Sequence, residues 1–208
     1  LMVMACHGNE AVARELVRLG ADGAHATGSG WTALHSCAQS GSTGTAAVAA
    51  FLVDEAAVPV DVRSKDGRTP LFVAASCGRD AAVRVLLELG ADSAALNDKG
   101  AFPLSVAAFN GHLHTVQLLV SLGVDASWRN AKHGYSTLHS AAEAGYDGVI
   151  RYLVSECGVS VDILTNDGRT PLYVAASFGR ELSVAVLQAL GADCAVLNEK
   201  ETSPLSAA

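Results

Sequence analysis

The chain has 208 residues, 50% of them hydrophobic and 17% charged, a balance that excludes intrinsic disorder. Lys and Arg number 14 against 21 Asp and Glu, a net charge of −7, so a broad phosphate-binding face is disfavoured and nucleic acid is not an expected partner. Aromatics make up only 5%, which leaves Ala, Val and Leu, side chains that let helices approach closely, to build the core.

In chain order, Leu1-Met2-Val3-Met4-Ala5-Cys6-His7-Gly8 aligns with Leu104 to Gly111, so the chain is expected to open inside a unit. It lacks the charged leader of a signal peptide. Trp31-Thr32-Ala33-Leu34-His35 follows, then Asp66-Gly67-Arg68-Thr69-Pro70-Leu71, Ala101-Phe102-Pro103-Leu104, Tyr135-Ser136-Thr137-Leu138-His139, Asp167-Gly168-Arg169-Thr170-Pro171-Leu172 and Thr202-Ser203-Pro204-Leu205. The Thr-like positions fall at 32, 69, 102, 136, 170 and 203, with steps of 37, 33, 34, 34 and 33, and that regularity marks a repeat. Each unit reads as a Ser or Thr cap, often Pro at the first helical position, a short helix stopped by Gly, and a second apolar helix closed by Gly-Ala-Asp or a relative. In one unit the first helix is expected over roughly Pro70 to Cys77 and the second over roughly Asp80 to Leu89. Helices this short are unstable alone, so Leu71, Ala74, Ala75, Val83, Leu86 and Leu87 are expected to bury against neighbouring units.

Thr69-Pro70-Leu71, Ala74-Ala75, Gly78 and Gly90-Ala91-Asp92 resemble the ankyrin repeat, whose length is about 33 residues, and the resemblance covers essentially the whole chain. It implies an all-α repeat solenoid of stacked helix-turn-helix ankyrin repeats with β-hairpin fingers. The fingers are centred on Lys65-Asp66-Gly67, Asp98-Lys99-Gly100, Lys132-His133-Gly134 and Asn166-Asp167-Gly168. One ankyrin repeat domain is expected over 1–208: a partial unit 1–29, units at about 30–66, 67–99, 100–133, 134–167 and 168–200, and a partial unit 201–208. With both ends ragged, the expectation is a fragment of a longer array.

A longer period lies above this one. Asp66 to Lys99 largely repeats as Asp167 to Lys200, and Gly30 to Ser36 parallels Gly134 to Ser140, so three units look duplicated together. The first copy carries about three extra residues around Ser42-Thr43-Gly44, in the loop between its two helices, where an insertion costs little.

Chemistry is hard to find. The five cysteines, Cys6, Cys37, Cys77, Cys157 and Cys194, never form a C-x-x-C pair; they are expected as small buried hydrophobes in a reducing cytoplasmic or nuclear setting. The longest run without Asp, Glu, Lys or Arg, Gly23 to Val53, is broken by several Gly and Ser and does not suit a membrane span. His35 and His139 sit where the resemblance implies hydrogen bonds tying adjacent units, and Phe72, Ser105, Tyr173 and Ser206 replace them elsewhere, as no catalytic base could be replaced. His112 and His114 are two residues apart, poor spacing for a metal pair. Gly41-Ser42-Thr43-Gly44-Thr45 lacks the Gly-Lys-Ser/Thr of a phosphate loop. No enzyme, cofactor, metal or small-molecule substrate is expected.

The resemblance instead implies a non-catalytic protein-protein interaction module, a scaffold or adaptor, whose finger tips and exposed first-helix face hold partner proteins. Carried over position by position, it nominates Trp31, Lys65, Asp66, Arg68, Asp98, Lys99, Phe109, Lys132, His133, Tyr135, Asp167, Arg169 and Phe178, with Gln39, Ser40, Ser76, Cys77, Asn110, Glu143, Asn166 and Ser177 beside them. Trp31, Phe109, Tyr135 and Phe178 are expected exposed, and aromatics and Arg most often anchor interfaces. The alternative is a substrate-recruiting or regulatory region of a larger enzyme, such as a kinase or ubiquitin-ligase subunit. Three departures carry expectations of their own. Phe102 replaces a capping Thr, costing its helix ~1 kcal/mol. Ala33 and Thr137 replace Pro, and Glu201 replaces a finger glycine.

Overall fold

The computed structural model describes residues 1–196, 198 and 203; the expectations for Glu201 and the unit at 201–208 lie outside them, Ser203 apart. It divides into two compact units, Leu1–Pro103 and Leu104–Ala208, a division that follows the duplication.

In the first unit the helices are α1 (Met2–Cys6), α2 (Glu10–Arg18), α3 (Ala33–Gln39), α4 (Thr45–Asp54), α5 (Pro70–Ser76) and α6 (Asp80–Glu88). The α5 and α6 bounds match the sequence expectation to within one residue, because Cys77 and Leu89 serve as C-caps. First helices pack in series, α1 on α3 and α3 on α5; second helices do the same, α2 on α4 and α4 on α6; and each first helix packs on its own second. Leu34, Leu52, Leu71, Val83 and Leu86 are buried between these layers, while Leu87 is only partly covered. A buried Leu is worth about 1.5–3 kcal/mol, which is how helices of 5 to 10 residues become stable together.

The second unit holds α7, which starts at the boundary (Pro103–Phe109), α8 (Leu113–Ser121), α9 (Thr137–Ala144), α10 (Asp147–Arg151), α11 (Pro171–Ser177) and α12 (Glu181–Ala189). Within it α9 packs on α10 and α11, and α12 packs on α10 and α11. The α10 helix runs on as a π turn, Tyr152–Glu156. Both copies carry one residue more here than the 33-residue units, and both absorb it alike. The Ala56 N–H donates to the Phe51 carbonyl (3.1 Å) and the Cys157 N–H to Tyr152 (3.1 Å), each five residues back. The Val58 and Val159 N–H groups then close on Leu52 and Leu153. The next turn needs a positive φ, supplied by Gly158 (φ 68) in the second copy and by Ala57 (φ 52) in the first.

Capping follows the sequence. The Thr69 and Thr170 hydroxyls accept the Phe72 and Tyr173 N–H groups at 3.2 and 3.1 Å, with Pro next in each helix. The insertion falls in the loop between α3 and α4, as expected, and Ser40 anchors it by donating its hydroxyl to the Cys6 carbonyl (2.6 Å). Phe102 corrects an expectation. Its side chain is only 2% exposed, and burying a Phe is worth about 1.5–3 kcal/mol, more than the ~1 kcal/mol of the missing cap.

The cysteines also differ from expectation. All five are free, yet only Cys37 is buried, and burial pushes its thiol up to about 12. Cys6 ends α1 in the open, while Cys77 and Cys157 at helix C-caps and Cys194 in a turn are partly covered.

Candidate functional site

Each finger is a tight turn. Ser64 and Arg68 close one by a backbone bond of 3.0 Å, while the Ser64 hydroxyl accepts the Arg68 N–H and donates to the Asp66 carboxylate. Thr165, Arg169 and Asp167 repeat this arrangement. The Ser64 hydroxyl holds the Asp66 carboxyl below its ordinary range, helped by the Arg68 charge. Arg68 pairs with Asp66 at 2.6 Å and Arg169 with Asp167 at 2.8 Å. The expected hairpin strands are shorter than a ladder: among the described residues only the isolated pair Arg129–Ser136 is bridged.

Successive fingers join by single backbone bonds, Lys65 N–H to the Ser29 carbonyl and Asp98 N–H to Asp66 in the first unit, Asn166 N–H to His133 in the second. Arginine side chains add a second tie, Arg63 donating to the Leu96 carbonyl (2.7 Å) and Arg129 to Leu164 (2.6 Å).

The fingers are held to the helices by buried histidine. His139 Nδ1 accepts the Ser136 N–H (3.2 Å), and Nε2–H donates to the Arg169 carbonyl (3.0 Å) of the next finger. His35 does the same with Thr32 (3.2 Å) and Arg68 (3.0 Å). Both rings must stay neutral to accept at Nδ1, and desolvation lowers both, His139 to about 4. Structural bonding, as the sequence implied, is their role here.

These rings partly cover two aromatics expected in the open. Trp31 stacks on His35 with centroids 4.9 Å apart, and Tyr135 lies 5.1 Å from His139, so both are half-buried rather than solvent-facing. The Tyr135 hydroxyl donates to the Glu143 carboxylate, and burial together with that bond raises the phenol above its ordinary range. Of the four aromatics expected in the open, Phe109 and Phe178 are exposed, 43% and 53%.

Lys132, His133, Tyr135, Asp167 and Arg169 come together around a cleft of about 360 Å³ between two fingers of the second unit, with Thr165 and Asn166. Phe109 and Phe178 lie at the far ends of first helices in the same unit. Trp31, Lys65, Asp66, Arg68, Asp98 and Lys99 belong to the first unit, where Asp98 lies 3.9 Å from Arg63.

The sequence reading missed the residue that precedes three of the second helices. Arg79 donates Nε–H to the Gln39 carbonyl (3.0 Å), Arg180 to the Glu143 carbonyl (2.8 Å), and the Tyr146 ring lies over Gly111, so each crosses the loop of the preceding repeat. The signal was available: Arg79, Tyr146 and Arg180 are the long side chains at or directly after the loop glycine, a place where a short polar cap is usual.

A family model described as ankyrin repeats (3 copies) matches residues 1–97 and 104–198, so the chain belongs to the ankyrin-repeat family. A 59-residue stretch is 42% identical to protein phosphatase 1 regulatory subunit 12A of Mus musculus and, equally, of Rattus norvegicus; the match covers 28% of this chain and 6% of either relative. Among solved structures, the human ASB11 ankyrin repeat domain is similar at a TM-score of 0.81 and 27% identity, over 100% of this chain and 90% of that one. The ankyrin repeat domain of Bcl-3, a member of the IkappaB family, is similar at 0.79 and 25%, over 100% and 92%. Among the described residues no helix is long and apolar enough to cross a membrane, and no group of three or more His, Cys, Asp and Glu could hold a metal ion.

Proposed function

We propose that this chain is a non-catalytic protein-interaction module, a scaffold or adaptor that holds partner proteins on its finger tips and first-helix ends. The observation that carries this reading is the contrast between the two copies. Their buried clamps are alike, His35 with Arg68 and His139 with Arg169, and so are their finger ion pairs. Their first-helix ends differ: Cys6, Gln39 and Cys77 stand in one where Phe109, Glu143 and Phe178 stand in the other. Folding constrains the first set, and recognition is a reason for the second to diverge. Mixed charge, with Lys65, Lys99 and Lys132 beside Asp66, Asp98 and Asp167, suits orientation of a protein partner. Five free cysteines favour a reducing compartment, cytoplasmic or nuclear.

The test is affinity capture with the whole chain and with a variant carrying Lys65→Ala, Phe109→Ala, Lys132→Ala and Phe178→Ala. Captured proteins should be lost by the variant; retention of every one of them refutes the reading. The stretch similar to a phosphatase regulatory subunit favours a second reading, in which the module recruits substrates for, or regulates, a larger enzyme. Co-purifying catalytic activity that depends on these same residues distinguishes it.

A further inference from the structure

The last residue of each first helix, or its equivalent, is Cys6, Gln39, Ser76, Phe109, Glu143 and Ser177 in successive repeats, and Glu143 is the one charged residue among them. Its carboxylate is partly exposed and accepts the Tyr135 hydroxyl, and among the described residues no cation pairs with it. The two nearby arginines are occupied. Arg169 is ion-paired with Asp167 at 2.8 Å, and Arg180 spends Nε–H on the Glu143 main-chain carbonyl. The first copy builds the same corner from Trp31 and Gln39, without charge.

The repeats before and after carry apolar side chains at the corresponding helix ends. Phe109, 43% exposed, ends the first helix of the preceding repeat, and Phe178, 53% exposed, caps that of the following one. Tyr146, 41% exposed, lies over Gly111 two residues beyond Phe109, and the Arg180 stem lies against Gly145 two residues beyond Glu143. The three loops therefore adjoin. In the first copy the Phe positions hold Cys6 and Cys77. One copy thus reads Cys, Gln, Cys where the other reads Phe, Glu, Phe.

We propose that this strip receives one basic side chain, Lys or Arg, of a partner helix, seated at Glu143 between two apolar residues of that helix on Phe109 and Phe178. The inference rests on the interaction reading above and names the partner's chemistry. A carboxylate whose side-chain partner is a neutral phenol gains from a cation, since charge-assisted bonds are roughly twice as strong as neutral ones, and the Tyr135 ring can face the same cation. The two Phe rings supply desolvated anchors. Packed helices stand about 8–10 Å apart, and seven residues of helix rise about 10.5 Å. A helix crossing three repeats therefore meets successive first-helix ends once per heptad: apolar, basic, apolar.

The test is selection on the full chain of a displayed library of 21-residue helical peptides, apolar at positions 4 and 18 and randomised elsewhere, position 11 included. Arg or Lys should be enriched at position 11, and recovered peptides should bind Glu143→Gln at least tenfold more weakly, and Phe109→Cys with Phe178→Cys more weakly still. Gln and Cys are the first copy's own residues at these places, so the fold accepts them; circular dichroism checks this. Arg84→Ala, at an exposed position on α6, should leave affinity unchanged. Neutral or acidic residues at position 11, affinity indifferent to Glu143→Gln, or a library yielding no binder each overturn the inference. Binders sensitive only to Lys65→Ala and Lys99→Ala overturn it while supporting the wider reading, and the capture experiment above tests that reading by itself.

Discussion

Ala57 and Gly158 occupy the same turn in the two copies, and exchanging them tests how the extra helical residue is absorbed. Ala57 has φ 52 and is the one non-glycine residue with positive φ among those described. The left-handed conformation costs an L-residue about 1–2 kcal/mol. Glycine recovers that strain but gives back about 0.4–1 kcal/mol through the greater freedom of its unfolded chain. Ala57→Gly should therefore stabilise the protein by about 0.5–1 kcal/mol. Gly158→Ala should destabilise it by a similar amount, and for conformational reasons alone, because a Cβ built at Gly158 meets nothing within 4 Å. Urea melts at constant slope give both numbers, and thermal midpoints should move by a few degrees in opposite directions. If Ala57→Gly lowers the midpoint, or if both variants shift it the same way, the π-type closure shared by the two copies is not what sets the backbone of this turn.

Thr137→Pro should stabilise by about 1 kcal/mol in the same melts: the Thr137 hydroxyl is buried without a partner, and Ser136 before it is already extended (φ −104, ψ 170), as a residue preceding proline must be. Between pH 6.5 and about 4, stability should fall as pH falls, because the unfolded chain protonates a histidine that the folded His139 keeps neutral; the loss from this site is on the order of 3 kcal/mol by pH 4, and His139→Gln should flatten that limb of the curve although it weakens the protein at neutral pH. Gly111→Ala should cost about 1–2 kcal/mol, since φ is +73 and the new Cβ falls 2.2 Å from the Tyr146 ring, and the ring should turn outward, seen as a changed tyrosine fluorescence.

The repeat was legible because its signals are local. A Thr cap, a Pro at the first turn and a Gly stop fix each helix within a few residues, so the bounds of α5 and α6 could be read to a single position. The candidate surface was less legible because exposure is set by neighbours far along the chain. Nothing next to Tyr135 in sequence says that its hydroxyl meets Glu143 eight residues on, or that the ring leans on a histidine whose own partner is the Arg169 carbonyl. The finger position of Trp31 and Tyr135 suggested open aromatics, and packing against the clamp made them half of the scaffold. Phe102 failed in the opposite sense: reading it as a lost cap left out the burial that only the folded layers supply.

Divergence between the copies carries weight only where folding is indifferent to it. Ala57 against Gly158 is a difference with an energetic cost, and it shows that the copies drift even at constrained positions. A single altered surface residue would therefore mean little. Cys6, Gln39 and Cys77 against Phe109, Glu143 and Phe178 are different in kind, because the three lie at the ends of first helices, outside the buried layers, and change together from small and neutral to large apolar and acidic. The retained clamps hold these positions in one register in both copies, so the same backbone presents two unlike faces. Water-exposed phenylalanine gains the folded state little, and a partly exposed carboxylate whose side-chain partner is a neutral phenol gains it little more. The second unit therefore carries on its surface features that its own stability does not account for, and a bound partner is what would repay them.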